Sequence, residues 1–197
     1  MKTHLFTFAL IYLVSTLTFG QKFERVSIKN KPNDLSVDKF RVTQTYDLGN
    51  GLLWIVGWDT ASRVGIYNSL KDSFIGKSNS ELEGYYINQG FFKQKNHWFI
   101  ISEFGEEDGI WEIKVHEFSN GKLDYKGSIS LATVKKDSTL GDIFVFPIDN
   151  ISIDKNGNEI ILKFSNDEYV FNPRSKDEKR FVGKLEFSIS SNKIKQK

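Results

Sequence analysis

The sequence predicts an all-β protein, and three observations carry that prediction. Short runs rich in β-branched and aromatic residues recur along the chain. Gly and Asn turn formers separate them, and no stretch spaces its apolar residues as a helix does. At most one helical turn is expected, within residues 68–82.

In chain order, the first segment is not part of the fold. Lys2 supplies a short basic start, residues 5–19 form an apolar run broken only by Ser and Thr, and Gly20 precedes the polar Gln21-Lys22. That is the layout of a secretory signal peptide, too short to span a bilayer comfortably. Residues 1–20 are therefore expected to be removed. Residues 21–197 then form a single all-β domain, exported to the periplasm or the cell exterior. No later segment is long and apolar enough to span a membrane as a helix.

A strand over 24–29 precedes three units that resemble one another. The first runs through 40–48, 52–58, 63–68 and 72–76, with Gly49-Asn50-Gly51 turning its first hairpin. The second runs through 84–92, 97–103, 110–118 and 122–129, with Lys95-Asn96 and Asn120-Gly121 as turns. The third reads 150–154, 159–164, 168–171 and 181–189, and begins with a turn at Asn156-Gly157. Trp98 to Ile101 are apolar on both faces, as in a central strand. Trp111, Ile113 and Val115 alternate with Glu112, Lys114 and His116, giving one buried and one wet face. Each unit reads as an antiparallel meander of four strands, and three such units point to a propeller-like stack of blades. Free-standing propellers have about four or more blades, so closure would need oligomerisation or a degenerate fourth unit. A β-trefoil, a β-sandwich or a barrel would use the same strands.

Composition narrows the partners. The chain has 27 Lys and Arg against 25 Asp and Glu, and loss of Lys2 brings its net charge from +2 to about +1. Phosphate backbones need a concentrated basic surface, so nucleic acid is not the expected partner. With no Cys there is no disulfide, no thiolate metal site, no cysteine nucleophile and no lipid-modified cysteine. The 17 Phe residues supply the apolar area of a core that stands without staples.

The inventory for catalysis is thin. Beyond residue 20 only His97 and His116 remain, and they lack the spacing of a metal motif. There is no nucleophile elbow and no glycine loop for phosphate. Residues 154–159 resemble the start of a calcium loop, but Gly157 is fourth rather than sixth and Ser165 takes the place of the twelfth-position Glu. An Asn-Gly hairpin turn accounts for them. No metal and no cofactor is expected. A pair of carboxylates remote in sequence is the one catalytic arrangement left open.

One constellation follows from the repeat. The loop between the second and third strands of each unit pairs acids with an aromatic residue. These are Trp58-Asp59 in the first, Glu106, Glu107 and Asp108 before Trp111 in the second, and Asp167 before Tyr169 in the third. Aromatic faces beside carboxylates suit sugar rings, whose C–H edges stack while their hydroxyls bond the acids, and they also suit cationic partners. The expectation is an exported, non-catalytic binding protein on a rigid β scaffold, with a surface glycan or an envelope protein as partner. The alternative is a secreted hydrolase using a carboxylate pair. Two convergent carboxylates in a pocket, one with a raised pKa, would favour the enzyme.

Overall fold

A computed structural model describes residues 21–31, 35, 37, 39–82, 86–105, 112–139, 141–145, 147–156, 159–190 and 193–197. The described residues are all-β, with antiparallel sheets and no α-helix; a short 3-10 turn occupies Pro147–Asn150. In place of the helical turn expected near residue 70, tight turns lead into a strand.

Five strands make the smaller sheet: β2 (Asn30–Lys31), β3 (Arg41–Gly49), β4 (Leu52–Trp58), β5 (Ser62–Asn68) and β6 (Ser73–Lys77), in that order. The first predicted meander is therefore present. The Asn50-Gly51 turn at its first hairpin has φ of 55° and 73°, a backbone that Asn and Gly adopt at little cost.

The second meander is β7 (Tyr86–Gln94), β8 (His97–Gly105), β9 (Glu112–Ser119) and β10 (Lys122–Asp137). Strand β1 (Gln21–Val26) pairs with β7 on one side. On the other it pairs with β12 (Ile151–Asn156), which continues into β13 (Glu159–Phe164), β16 (Leu185–Ser190) and β17 (Lys193–Gln196). The far half of β10 carries β11 (Gly141–Val145) and also β14 (Glu168–Phe171), which pairs with β15 (Lys179–Val182). All of these belong to one twelve-stranded sheet.

The propeller-like arrangement is thus replaced by two sheets. The third unit is not a four-stranded meander, because β14 leaves β13 for β10 and β16 takes its place. Strand β1 also joins the second and third units edge to edge, which radial blades would not allow.

The large sheet curls like a half-barrel until β17 lies back against β10. At that contact a Cβ placed on Gly127 would stand 3.5 Å from Ile194 Cγ1. Its concave side is filled by Phe23, Phe99, Ile153, Leu162, Tyr169 and Phe187, among others. Its convex side, along β7–β10, carries the smaller sheet over Trp54, Val64, Ile66, Phe91, Ile100 and Phe118. Strand β8 is accordingly buried on both faces, as its apolar run predicts. Beyond the smaller sheet lies a third cluster, where Phe40, Ile55 and Tyr67 pack under Leu35, Val37 and Phe74.

The predicted wet face of β9 is a correction. Lys114 and His116 do alternate with Ile113 and Val115, but the smaller sheet covers them and both are buried. Polar character along a strand marks a face, not its exposure.

Candidate binding site

Strand β4 ends at a tryptophan because its burial ends there. Trp54 through Gly57 are enclosed, whereas Trp58 is 45% exposed. Across the ladder Trp58 faces Arg41, and Gly57 faces Val42. Gly57 is required by close approach: a Cβ there would lie 2.3 Å from the Arg41 carbonyl oxygen and 2.6 Å from the Phe40 ring. Just upstream, the Phe40 N–H donates to the Val37 carbonyl at 3.0 Å, and Lys39 within that turn has φ of 56°.

These pieces enclose an open cleft of about 490 Å³ lined by Val37, Lys39, Phe40, Arg41, Trp58 and Asp59. The Arg41 guanidinium lies 6.0 Å from the Trp58 ring centroid, at the outer reach of a cation–π contact. Phe40 forms the floor, edge-on to Phe74 at 5.3 Å.

Asp59 sits at the rim but its charge is already engaged. Lys77 Nζ donates to Oδ2 at 2.9 Å, the Thr60 N–H donates to Oδ1 at 2.6 Å, and Arg63 Nε lies 3.5 Å from Oδ1. The Lys77 ammonium, with the Thr60 N–H, holds this carboxyl well below the ordinary carboxylate range. Lys77 also lies over the Phe40 and Phe74 rings. Among the described residues neither Lys39 nor Arg41 forms an ion pair.

The structure separates the predicted site residues. Trp58 and Asp59 share the cleft. Tyr169 is fully buried in the concave core, where its hydroxyl accepts the Asn166 N–H at 2.6 Å. Its strand faces the interior, so it presents no aromatic surface. Asp167 borders a second, half-enclosed cavity of about 580 Å³ with Lys163, Lys184 and Glu186. Glu106, Glu107, Asp108 and Trp111 lie outside the described residues. Sequence reasoning missed Phe40, Lys39 and Arg41.

Further polar side chains are buried away from the cleft. In the seam between the sheets, Trp54 Nε1 and Ser102 Oγ both donate to Gln89 Oε1 at 2.9 Å, and Lys114 Nζ donates to the Glu81 carbonyl. His116 lies in the same seam. Burial, with the Lys114 charge beside it, pushes its imidazole down to about 3. On the concave side of β8, burial pushes the Glu103 carboxyl up to about 9, and neither oxygen has a hydrogen bond of good geometry.

At the open end of the curled sheet, Glu117 lies 2.5 Å from His97 Nε2 and 2.5 Å from Lys126 Nζ. The His97 hydrogen bond first, then Lys126, takes Glu117 down to about 2. Lys126 is the extra residue of a bulge between Tyr125 and Gly127, the irregularity that turns a side chain out of its alternation. A cavity of about 210 Å³ opens there. Among the described residues no group of three or more His, Asp or Glu is placed to hold a metal ion.

No protein-family model matches this chain, and no match is found among curated proteins or solved structures.

Proposed function

We propose that this chain is an exported, non-catalytic binding protein that recognises a surface glycan or an envelope protein through the Trp58 cleft. The observation that carries this reading is Trp58 itself. A half-exposed indole, fixed at the end of a buried strand and flanked by Arg41, is a rigid anchor of the kind that dominates recognition surfaces. Because β3 and β4 hold the cleft in place, little ordering entropy opposes binding. The mature chain would begin at Gln21 and act in the periplasm or outside the cell. The meanders β3–β6 and β7–β10 would be copies of one unit, each with its first hairpin turned by a residue of positive φ, Asn50 and Lys95.

The test is capture of partners from the native envelope with wild type and Trp58→Ala. Loss of a partner on substitution, with the melting temperature nearly unchanged, supports the reading. Capture that ignores Trp58 removes it.

A second reading, a secreted carboxylate-pair hydrolase, is favoured by one observation: Asp167 and Glu186 line a single cavity. Glycan hydrolysis that disappears in both Asp167→Asn and Glu186→Gln would establish it. The raised carboxyl of Glu103 does not serve this reading, because that side chain is closed to solvent.

A further inference from the structure

We infer that the Trp58 cleft selects acidic glycans, polysaccharides whose sugars carry carboxylate groups, over neutral ones. This rests on the glycan-binding reading above and adds the sign of the ligand's charge. The sequence places an acid beside the tryptophan, the pairing suited to neutral hydroxyls or cations. The structure reverses that sign. Asp59 gives one oxygen to Lys77 and the other to Thr60 and Arg63, so its charge is neutralised and much of its acceptor capacity is used within the protein. Apart from Asp59, no carboxylate among the described residues lines the cleft. What remains is an apolar indole, the Phe40 floor, and two cations, Lys39 and Arg41, without ion-pair partners among the described residues.

A neutral sugar in this cleft would stack on Trp58 but find few acceptors for its hydroxyl protons. A uronate would stack equally well and place its carboxylate against Arg41, whose planar fork pairs with two carboxylate oxygens at once. Lys39 supplies a second, adjustable positive charge. The φ of 56° at Lys39 is an uncommon conformation for a side-chain-bearing residue, held by the Val37–Phe40 turn. Two cations on one small cleft are too few for the phosphate tracking of a nucleic-acid surface.

The experiment uses chain 21–197 and three matched pairs of oligosaccharides: galacturonate against galactose, mannuronate against mannose, and glucuronate against glucose. Binding is read by calorimetry and by tryptophan fluorescence at low and physiological salt, with inorganic polyphosphate as a further probe. The expected result is that at least one uronate oligomer binds tenfold or more tightly than its neutral partner. That affinity should fall with salt and drop at least tenfold in Arg41→Gln. Trp58→Ala should abolish binding, and Arg41→Lys should recover only part of it. Melting curves confirm that each variant is folded.

Trp58-dependent binding that is equal for acidic and neutral members overturns the charge inference and leaves the glycan reading standing. Polyphosphate bound as tightly as the best uronate overturns it too, by making the cleft a general anion site. No Trp58-dependent binding to any oligomer overturns both, and envelope-protein capture then becomes the measurement that identifies the partner.

Discussion

His116 on β9 and Ser78, just past the end of β6, meet at 2.8 Å across the seam between the two sheets. The Ser80 N–H already donates to Ser78 Oγ at 3.1 Å, and His116 Nδ1 is buried with no partner. The neutral tautomer that wastes least therefore keeps its proton on Nε2 and donates it to Ser78. An orphaned acceptor lone pair costs less than an orphaned N–H. The polar seam is thus tuned to one protonation state, and it welds the segment after β6 onto the larger sheet.

That arrangement predicts an acid limb of instability. His116 titrates near 3 when folded against an ordinary value of 6.5, so between those values the unfolded chain binds a proton that the native state refuses. Its contribution is fully present above pH 6.5 and is lost as pH falls, by about 1.4 kcal/mol per unit. The depressed carboxyls Asp59 and Glu117 add their losses only lower, within and below the ordinary carboxylate range. Because the buried Glu103 carboxyl titrates over the same range with the opposite sign, the test uses Glu103→Gln as background: urea unfolding at intervals from pH 6.5 to 4.5 should there show a slope that adding His116→Gln removes. An unchanged slope in the double variant would refute the assignment.

Glu103 predicts the opposite limb. Its folded value near 9 lies above the ordinary 4.5, so the native state keeps a proton that the unfolded chain releases. Stability from this group is complete below about pH 4.5 and declines by about 1.4 kcal/mol per unit as pH rises toward 9. Between 4.5 and 6.5 the two slopes oppose each other, and the stability curve should be nearly flat. Glu103→Gln should remove the alkaline decline and be more stable than wild type at pH 8. If the two proteins lose stability in parallel from pH 6.5 to 9, Glu103 is not buried as a neutral acid.

The β class was legible because period-two alternation and Asn-Gly turns are local. Asn50-Gly51 and Asn120-Gly121 adopt the positive φ that their residues favour. The double-sided apolar run of β8 likewise marked a strand buried on both faces. What failed was long-range. The alternation of β14 gives its inward residues but not its neighbour, which proved to be β10 rather than β13. Lys114 and His116 looked solvated because nothing local announces a second sheet above them. Arg41 was lost to register. Counting back from the Gly49–Leu52 pair sets Thr43 opposite Trp58, but two bulges in β3 move the true partner to Arg41.

The two tryptophans of β4 offer a direct contrast. Trp54 is fully buried and hydrogen-bonded to Gln89, whereas Trp58 stands half in solvent. Trp54→Ala should cost roughly 3–5 kcal/mol, the range for a large aromatic lost from a core. Trp58→Ala should cost less than about 1 kcal/mol of stability, as substitutions at exposed positions do. Its effect should fall on binding, by about 2 kcal/mol or more. Denaturant midpoints for both variants check the first claim. A Trp58→Ala midpoint as low as that of Trp54→Ala would mean that the indole is a structural prop rather than an anchor.

Gly57 ties the cleft to the fold most tightly, and Gly57→Ala tests that tie. A methyl group there meets the Arg41 carbonyl at 2.3 Å, and backbone cannot rotate away as a side chain can. Strand β3 must therefore shift relative to β4, at a cost of roughly 1–3 kcal/mol for an overpacked site. Gly121→Ala is the matched control: its Cβ would meet nothing within 4 Å, but its φ of 73° is strained for alanine. That variant should lose roughly 1–2 kcal/mol through backbone strain alone. It leaves Arg41 and Trp58 where they are. Both variants should melt lower, but only Gly57→Ala should weaken ligand binding at the Trp58 cleft, because only it moves Arg41 against the indole. Equal binding in the two variants at a temperature where both are folded would show that the Arg41–Trp58 geometry does not matter to recognition.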